Sequence, residues 1–273
     1  MQFFRVSKND SRRHAGYDRT MRTPRSILIT GASSGIGASL AQEYAAPGMS
    51  LALSGRDADR LTNVAEACRS AGAVVDMEIL DVADVSAMGA WIAAADATYP
   101  LDLVVANAGI SGGTAGSVES DELVRAIFRT NVDGVLNTIH SAAALMRKRG
   151  GGQIAVISSL AAFRGYPSAP AYSASKAAIR VYGEALRGAL AADGINVTVV
   201  CPGYIRSRMT AANNFPMPML MDADRAARII RHGLAKNRSR IAFPWPVYAV
   251  AWLLGALPPW LTDPLMVRLP KKG

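Results

Sequence analysis

The stretch TGASSGIG, residues 30–37, stands between an apolar run and a helical run near the start of the chain. Gly31 allows a tight turn, Gly35 lets the backbone approach a phosphate group, and Gly37 permits a helix to pack closely on a strand. The helix that follows offers free N–H groups and partial positive charge at its N-terminus, which favour an anion. The spacing G-x-x-x-G-x-G differs from the commonest dinucleotide fingerprint, G-x-G-x-x-G. At the first strand–helix junction of the chain, this turn nevertheless predicts a dinucleotide site.

Short β-branched runs alternate with longer amphipathic runs along the rest of the chain. Strands this apolar are typical of a parallel sheet buried on both faces. The alternation predicts a doubly wound, Rossmann-type α/β domain with a sheet of about seven strands and with ligands at their carboxyl ends. The predicted strands are Ser26–Thr30, Ser50–Ser54, Val74–Leu80, Leu101–Ala106, Gln153–Ser158, Asn196–Cys201 and Arg240–Phe243. The predicted helices are Gly35–Ala45, Asp59–Ser70, Val85–Ala95, Glu119–Lys148, Ala171–Ala192 and Ala223–Lys236.

The end of the second strand predicts which dinucleotide the turn holds. An NAD site usually places an acidic residue there, which accepts hydrogen bonds from ribose hydroxyls. Here the chain reads LALSGRDADRL, so Gly55 takes that place and Arg56 follows it. A guanidinium pairs with a 2′-phosphate, whereas a carboxylate repels one. The pattern favours NADP(H) over NAD(H); the alternatives are that Arg56 is a solvated loop charge or that Asp57 neutralises it.

The net charge of +9 on 273 residues is concentrated at the two ends of the chain. Residues 1–25 carry +5 and residues 225–273 carry +8, which leaves −4 for the remainder. The sequence shows neither a DNA-recognition helix nor a basic surface with aromatic residues between the basic ones. We therefore expect no nucleic-acid partner. Residues 1–24 form a basic extension that we expect to be flexible. This extension lacks the apolar core of a signal peptide, and Met21 is an alternative start.

The cysteines and histidines narrow the class of protein further. Cys68 and Cys201 cannot make a disulfide framework, which indicates a reducing compartment and a cytoplasmic protein. The three histidines, His14, His140 and His232, are scattered, so we expect no metal site.

Tyr172 and Lys176 stand four residues apart in the stretch YSASK, at the start of a predicted helix. Positions i and i+4 share one face of a helix, so the two side chains point the same way. An isolated pair of this kind usually occurs by chance on a protein surface and has no functional role. In this chain, the surrounding motifs favour a functional role.

Seven motifs together resemble the short-chain dehydrogenase/reductase family, over roughly residues 25–243. They stand in the family's order and at its spacing, including a separation of 13 residues from Ser159 to Tyr172. The resemblance implies an oxidoreductase that moves hydride between a nicotinamide and a carbonyl or secondary alcohol. It also implies a homodimer or homotetramer paired through the helices predicted at Glu119–Lys148 and Ala171–Ala192. The motifs are TGASSGIG, Asp81-Val82, Asn107-Ala108-Gly109, Asn131 in TNVDG, Ser159 in ISS, YSASK and Pro202-Gly203.

The resemblance implies a catalytic set of Asn131, Ser159, Tyr172 and Lys176. Tyr172 would exchange a proton with the substrate oxygen, and the ammonium of Lys176 would lower the phenol's pKa from about 10 while also holding the nicotinamide ribose. Ser159 would hydrogen-bond the substrate oxygen. Asn131, within the long predicted helix, would hold a water on the proton path to Lys176. The small residues between Tyr172 and Lys176 would leave room for the cofactor.

The resemblance also implies which residues bind the cofactor. Asp81 would face the adenine, although it could instead cap the following helix. Asn107–Gly109 could be only a strand-ending turn. Ser207 departs from the threonine that many relatives carry, and its hydroxyl would still reach the carboxamide. The implied cofactor-binding residues are Gly31, Ser33, Ser34, Gly35, Ile36, Gly37, Arg56, Asp81, Val82, Asn107, Ala108, Gly109, Tyr172, Lys176, Pro202, Gly203, Ile205 and Ser207.

The segment after Pro202-Gly203, YIRSRMTAANNFPMPMLMDAD, corresponds to the family's variable substrate loop. Four methionines make this loop flexible and apolar, which suits a lipophilic substrate; the alternative is ordinary core filling. The methionines are Met209, Met217, Met219 and Met221.

The chain ends in an apolar tail, residues 244–273, and residues 241–262 carry no charge. The uninterrupted part between Pro246 and Pro258 would make a helix of about 16 Å, against about 30 Å for a hydrocarbon layer. We therefore expect no transmembrane span. Packing against the chain's own domain or a partner subunit is favoured over peripheral membrane contact through the tail's tryptophans, and a lid over the active site is a third alternative.

These observations favour an NADP(H)-dependent oxidoreductase of a small, lipophilic molecule, built as one domain over residues 25–243. The alternative is a non-catalytic dinucleotide-binding protein, or a membrane-interface protein, on the same scaffold. We expect the protein to be cytoplasmic, with membrane association as the alternative.

Overall fold

A parallel sheet of seven strands, in the order β3-β2-β1-β4-β5-β6-β7, forms the centre of the protein. The computed structural model describes residues 23–114 and 118–268. Each predicted strand is present, within two residues at either end in every case. The strands are β1 Ser26–Ile29, β2 Ser50–Gly55, β3 Val74–Ile79, β4 Leu103–Ala106, β5 Gly152–Ile157, β6 Ile195–Pro202 and β7 Arg240–Phe243.

Helices cover both faces of this sheet. Ile27 and Ile29 of β1 pack into one apolar cluster, and Leu28 between them packs into a second cluster on the opposite face. Both faces of the sheet are therefore buried and excluded from water, as the apolar strands predict. The helices are α1 Gly35–Tyr44, α2 Ala58–Ser70, α3 Val85–Thr98, α4 Asp121–Phe128, α5 Gly134–Arg149, α6 Pro170–Ala189, α7 Arg208–Ala211, α8 Ala223–Ala235, α9 Trp245–Ala256 and α10 Pro259–Met266.

The strand order reverses between β1 and β4, both of which are hydrogen-bonded in parallel within the sheet. In doubly wound sheets the crevice at such a reversal, at the carboxyl ends of the strands, is where ligands bind. TGASSGIG follows β1 and Asn107–Gly109 follows β4 at this crevice. The predicted doubly wound α/β fold is confirmed.

The long helix predicted at Glu119–Lys148 is interrupted. A π-helical turn, Arg129–Asp133, separates α4 from α5 and carries Asn131. Such a turn adds one residue to a helix and is frequent at functional sites. Directly after it, Gly134 packs against Val82, where a Cβ on Gly134 would overlap the valine side chain. The predicted helical run is therefore present, but as two α-helices joined by a π-turn, because the spacing of apolar residues does not show which carbonyl each N–H bonds within one turn.

The apolar tail forms two helices, α9 and α10, that pack on the domain beside β7. Ala251 of α9 is buried, and the backbone of Gly255 lies so close to the carbonyl oxygen of Phe163 that a Cβ would overlap it. Asp263 of α10 pairs with Arg164 at 2.6 Å. Among the described residues, no helix has both the length and the apolar character needed to cross a bilayer. The proposed alternative start at Met21 lies outside the described residues.

Candidate active site

The glycine-rich turn approaches other backbone on every side. Gly31 and Gly35 adopt positive φ angles of 65° and 54°, which favour glycine. A Cβ on Gly31 would lie 2.8 Å from the Cα of Ala108. Gly37 differs from the prediction, because a Cβ there would overlap the carbonyl oxygen of Gly31 and the Asn107 amide rather than a packed strand. These glycines bring β1, α1 and β4 together.

The N-terminus of α1 is open to a ligand. Ser34 takes the N-cap position in extended conformation, and its side chain makes no capping hydrogen bond. The first N–H groups of the helix therefore keep their capacity to bind an anion. Ser33, Ser34 and Ile36 line the large cavity described below. This uncapped end, with the close-approach glycines, fits the phosphates of a dinucleotide.

Asn107 and Thr30 lock this turn to the end of β4. The Asn107 amide donates to the carbonyl oxygens of Thr30 at 2.9 Å and Gly31 at 3.1 Å. The Thr30 hydroxyl accepts from the backbone N–H groups of Asn107 at 3.0 Å and Ala108 at 3.2 Å. Asn107 therefore braces the turn as well as lining the cavity, a contribution that sequence analysis missed.

Gly31→Ala is expected to lower the free energy of unfolding by about 2–4 kcal/mol, because positive-φ strain adds to overlap with the Ala108 backbone. Gly48→Ala is the matched control: its φ is 81°, but nothing lies within 4 Å of its Cβ position. The control should therefore lose only about 1 kcal/mol. Urea unfolding of both variants checks this, and equal losses would contradict the close approach.

Arg56 lines the cavity beyond the end of β2. Asp57 does not neutralise it, because the Asp57 carboxylate caps α2 through the N–H of Arg60 and pairs with the Arg60 guanidinium at 2.6 Å. Gly55 lies against Ser33, whose Cβ and hydroxyl would both be 3.1 Å from a Cβ on Gly55. Arg56 and Ser33 thus border the same part of the cavity.

Asp81 and Val82 line the cavity at the end of β3. Asp81 accepts from the N–H of Ala83 at 3.0 Å, whereas Asp84 caps α3 by accepting from Ser86 and Ala87. The alternative that Asp81 caps the following helix is therefore wrong. Its carboxylate shapes its own loop beside the cavity.

One cavity of about 630 Å³ joins these elements to Ser159, Tyr172 and Lys176. Ser159 follows β5, and the other two lie in the first turns of α6. The Lys176 ammonium lies 5.9 Å from the centroid of the Tyr172 ring and donates to the carbonyl oxygen of Ile157 at 2.8 Å. Every residue implied to bind the cofactor lines this cavity except Gly37, which lies behind the turn.

Asn131 is fully buried behind the cavity wall. Its side chain accepts from the N–H of Ile110 at 2.8 Å and donates to the Ile110 carbonyl oxygen at 2.9 Å and to the Ser175 hydroxyl at 3.0 Å. The amide therefore joins the loop after β4 to α6. The expectation that Asn131 holds a water on the proton path to Lys176 stays a prediction.

Three serines near the catalytic set were not recognised as positioning residues. Ser175 donates to the carbonyl oxygen of Tyr172 at 2.8 Å, and Ser158 donates to that of Lys176 at 2.8 Å. Ser173 accepts from the N–H of Tyr166 at 3.1 Å. The serines between Tyr172 and Lys176 thus hold the helix in place, and their small size also leaves space for the cofactor. The sequence did offer a signal for this role: serine is about as small as alanine, but its hydroxyl can form a hydrogen bond.

Burial dominates the ionisation of the pair. Lys176 is 4% exposed, and desolvation lowers the pKa of its ammonium to about 8. Desolvation raises the pKa of the Tyr172 phenol, while hydrogen bonding with Ser159 lowers it. This differs from the expected lowering by Lys176, because the ammonium is bonded to a carbonyl oxygen and burial is the larger influence on the phenol.

The segment after β6 adds aromatic and apolar side chains to the cavity lining, beside polar ones such as Arg208 and Asn213. Tyr204 and Phe215 meet edge to face, with ring centroids 6.0 Å apart. Tyr166, Met209 and Val247 also line the cavity. Of the four loop methionines, Met209 is the one that lines the cavity, and Met221 is buried in the core. The lipophilic substrate therefore stays a prediction, and sequence analysis missed the aromatic residues that line the cavity.

Pro202, Gly203, Ile205 and Ser207 complete the wall after β6. Ser207 begins α7 through a capping box with Thr210. Gly203 donates its N–H to the Phe243 carbonyl oxygen at 2.8 Å. Backbone pairing with β7 therefore fixes the start of the loop.

Known proteins similar to this chain were found both by sequence and by structure. The model of the short chain dehydrogenase family matches residues 25–216. An uncharacterized oxidoreductase of Myxococcus xanthus is 39% identical over 246 residues, which cover 90% of this chain and 97% of that protein. A ketoacyl reductase of Nostoc is 32% identical over 204 residues, covering 74% and 71%.

A solved short chain dehydrogenase/reductase of Burkholderia phymatum, in complex with NAD, shares the fold. It superimposes with a TM-score of 0.77 at 24% identity, covering 91% of this chain and 97% of that one. The family match and the Myxococcus relative identify the chain as a member of the short-chain dehydrogenase/reductase family, an oxidoreductase that acts with a nicotinamide cofactor.

Proposed function

We propose that this protein uses NADP(H) to interconvert a carbonyl and a secondary alcohol on a lipophilic substrate. One observation carries the proposal: a single cavity joins Arg56 and the glycine-rich turn, Ser159, Tyr172 and Lys176, and an aromatic wall. A nucleotide phosphate, a reacting oxygen and an apolar chain each have a matching part of that cavity.

The bound nicotinamide supplies or accepts the hydride. In reduction, Tyr172 donates its proton to the carbonyl oxygen, and the burial that raises its pKa keeps the phenol protonated until then. Ser159 hydrogen-bonds the same oxygen while negative charge grows on it. Lys176 compensates the phenolate that remains, and Asn131 holds α6 against the loop after β4 through Ser175 and Ile110. Oxidation of the alcohol reverses these proton movements.

The substrate that fits the wall is an acyl or ring compound with a ketone near one end. Tyr166, Tyr204 and Phe215 offer flat apolar surfaces, which suit such groups. The Nostoc relative is named a ketoacyl reductase, which supports a ketoacyl thioester as the first compound to try. Consumption of NADPH with ketoacyl thioesters, cyclic ketones and small sugars tests the proposal. Turnover of sugars alone would contradict it.

Arg56→Gln is expected to raise the Kd for NADPH by about 10–100-fold, because a charge-assisted hydrogen bond to the 2′-phosphate contributes about 1.5–3 kcal/mol. The Kd for NADH should stay unchanged, since NADH lacks that phosphate. Calorimetric titration of both cofactors measures the difference.

Arg60→Gln is the matched control for Arg56, because Asp57 already holds the Arg60 guanidinium. It should change the Kd for NADPH by less than about threefold. Equal weakening of both cofactors by Arg56→Gln, or tighter binding of NADH by the wild type, would contradict the NADP(H) assignment.

The family's oligomers, by the resemblance, pair through the long helices, which are α4–α5 and α6 in this chain. We therefore propose a homodimer or homotetramer built on these helices. The proposal of a cytoplasmic location is supported by Cys68 and Cys201, both of which are buried free thiols.

A further inference from the structure

We propose that helices α9 and α10 form a docking surface for an anionic lipid membrane. The surface is a set of exposed, large apolar side chains, here named the tail face. Trp245 and Trp260 are each 75% exposed and Trp252 is 53% exposed. The members of the tail face are Trp245, Val250, Trp252, Leu253, Trp260, Leu261, Leu265 and Val267.

Helix α9 is apolar all round, yet the domain covers only one side of it. Its twelve residues include none with a charge, and Ala251 is its only buried residue in the described part of the chain. A helix that is apolar on all sides is normally enclosed by protein or lipid. Trp245, Trp252 and Leu253 follow helical spacing and share the uncovered side. Something other than water is expected to cover this side.

The domain holds the tail face firmly on its inner side. The Phe163 ring lies 4.7 Å from the Arg180 guanidinium and meets the Tyr248 ring edge to face at 5.3 Å. The Tyr248 hydroxyl accepts from Arg240 at 3.1 Å, and Gly255 packs on the Phe163 backbone. The exposed apolar side is therefore presented by anchored helices.

Charge favours an anionic lipid surface. Asp263 is the one acidic residue of positions 225–273, and it is paired with Arg164. Arg268 after α10 is exposed, and Lys271 and Lys272 follow in the sequence. The side chains of the tail therefore carry net positive charge, and the one acidic side chain among them is paired. Each basic residue near an anionic membrane adds about 1 kcal/mol to the attraction.

The chemistry of the tail face suits lipid better than a second copy of the chain. Protein interfaces carry about one hydrogen bond per 100–200 Å² and a polar rim. The tail face offers only indole N–H groups as side-chain hydrogen-bonding partners. Tryptophan prefers the boundary between headgroups and hydrocarbon, where the ring is dry and the N–H is wet. Helices too short to cross a bilayer can lie within that boundary.

The same helix also reaches the active site, because Val247 of α9 lines the cavity. Docking through the opposite side would hold the cavity close to the membrane surface. We infer that this placement would deliver a lipophilic substrate to the cavity, and this inference rests on the proposed function. The docking of the helices on the membrane does not depend on it.

Co-sedimentation of the full chain with vesicles tests the docking. Vesicles of phosphatidylcholine with phosphatidylglycerol should bind the wild type more strongly than phosphatidylcholine alone. The double variant Trp252→Glu/Trp260→Glu should lose at least about tenfold in partition into the anionic vesicles. Val85→Glu is the matched control, because Val85 is a 64% exposed apolar residue on α3, away from the tail face, and it should bind as the wild type does.

Two results would overturn the docking proposal. One is a wild type that does not bind the anionic vesicles. The other is an oligomer that the double variant breaks apart in size-exclusion chromatography, since a second copy would then cover the tail face. Vesicle binding is measured without cofactor or substrate, so a protein that binds vesicles but reduces no ketone would contradict the proposed function alone.

Discussion

Tyr172→Phe is expected to lower kcat by about 10³–10⁴-fold while the Kd for NADPH changes by less than about threefold. The phenol is the group at the cavity that can give a proton to a carbonyl oxygen beside Ser159, and phenylalanine keeps the ring without the hydroxyl. Without that donor, charge on the reduced oxygen must be neutralised by water. Steady-state kinetics with the best ketone and calorimetric titration with NADPH measure the two quantities.

Tyr166→Phe is the control for this change. Tyr166 also lines the cavity, and burial raises the pKa of its phenol as it does for Tyr172. Tyr166 lies outside the first turns of α6, however, and we assign it to the substrate wall. Its loss should alter KM more than kcat. A Tyr172→Phe enzyme with wild-type kcat would exclude Tyr172 as the proton donor.

Lys176→Met is expected to lower kcat by about 10²–10³-fold, because a cation that stabilises the phenolate is removed. The Lys176 ammonium lies 5.9 Å from the centroid of the Tyr172 ring, and two charges separated by about that distance interact by about 3 kcal/mol at an effective dielectric constant of about 20. The variant also leaves the carbonyl oxygen of Ile157 without the donor that it has now. Kinetics over a range of pH should show the full loss below about pH 8, where Lys176 carries its charge, and a smaller loss above it.

The same lysine makes a prediction about stability. Burial lowers its pKa to about 8 from its ordinary value of 10.5, so the unfolded chain binds more protons than the folded one between these values. Stability contributed by Lys176 therefore rises through that window, by about 2 kcal/mol from pH 7 to pH 9.5. Urea unfolding of the wild type and Lys176→Met at both pH values measures the difference. If the wild type and Lys176→Met differ in free energy of unfolding by the same amount at both pH values, the Lys176 ammonium keeps its ordinary pKa in the folded protein.

The fold could be predicted because its signals are local. Alternating apolar runs mark the strands and helices, and TGASSGIG marks the first crossover from its glycines alone. The hydrogen bonds from Asn131 to Ile110 and Ser175 join residues 21 and 44 positions away. No spacing rule reveals such pairs, so the bracing role of Asn131 was missed even though its position was recognised.

The tail shows a different limit. An uncharged run from Ile241 to Thr262 is equally compatible with a buried helix and with one that lies on lipid, since both environments are dry. The choice depends on which side of α9 the domain covers. That is decided by Phe163, Gly255 and the pairing of Arg164 with Asp263, which are tertiary contacts between distant parts of the chain.

The most direct test of the account is an ultraviolet titration of the Tyr172 phenol in the protein bound to NADP⁺, taken as wild type minus Tyr172→Phe. Burial alone raises the pKa of this phenol above its ordinary value near 10. Positive charge from Lys176 and from bound NADP⁺ is expected to oppose the effect of burial, so that the pKa of the phenol is lower in the NADP⁺-bound wild type than in the cofactor-free protein and rises again in Lys176→Met. A wild-type pKa that NADP⁺ does not lower, and that loss of the lysine leaves unchanged, would contradict the claim that this pair performs the proton transfer.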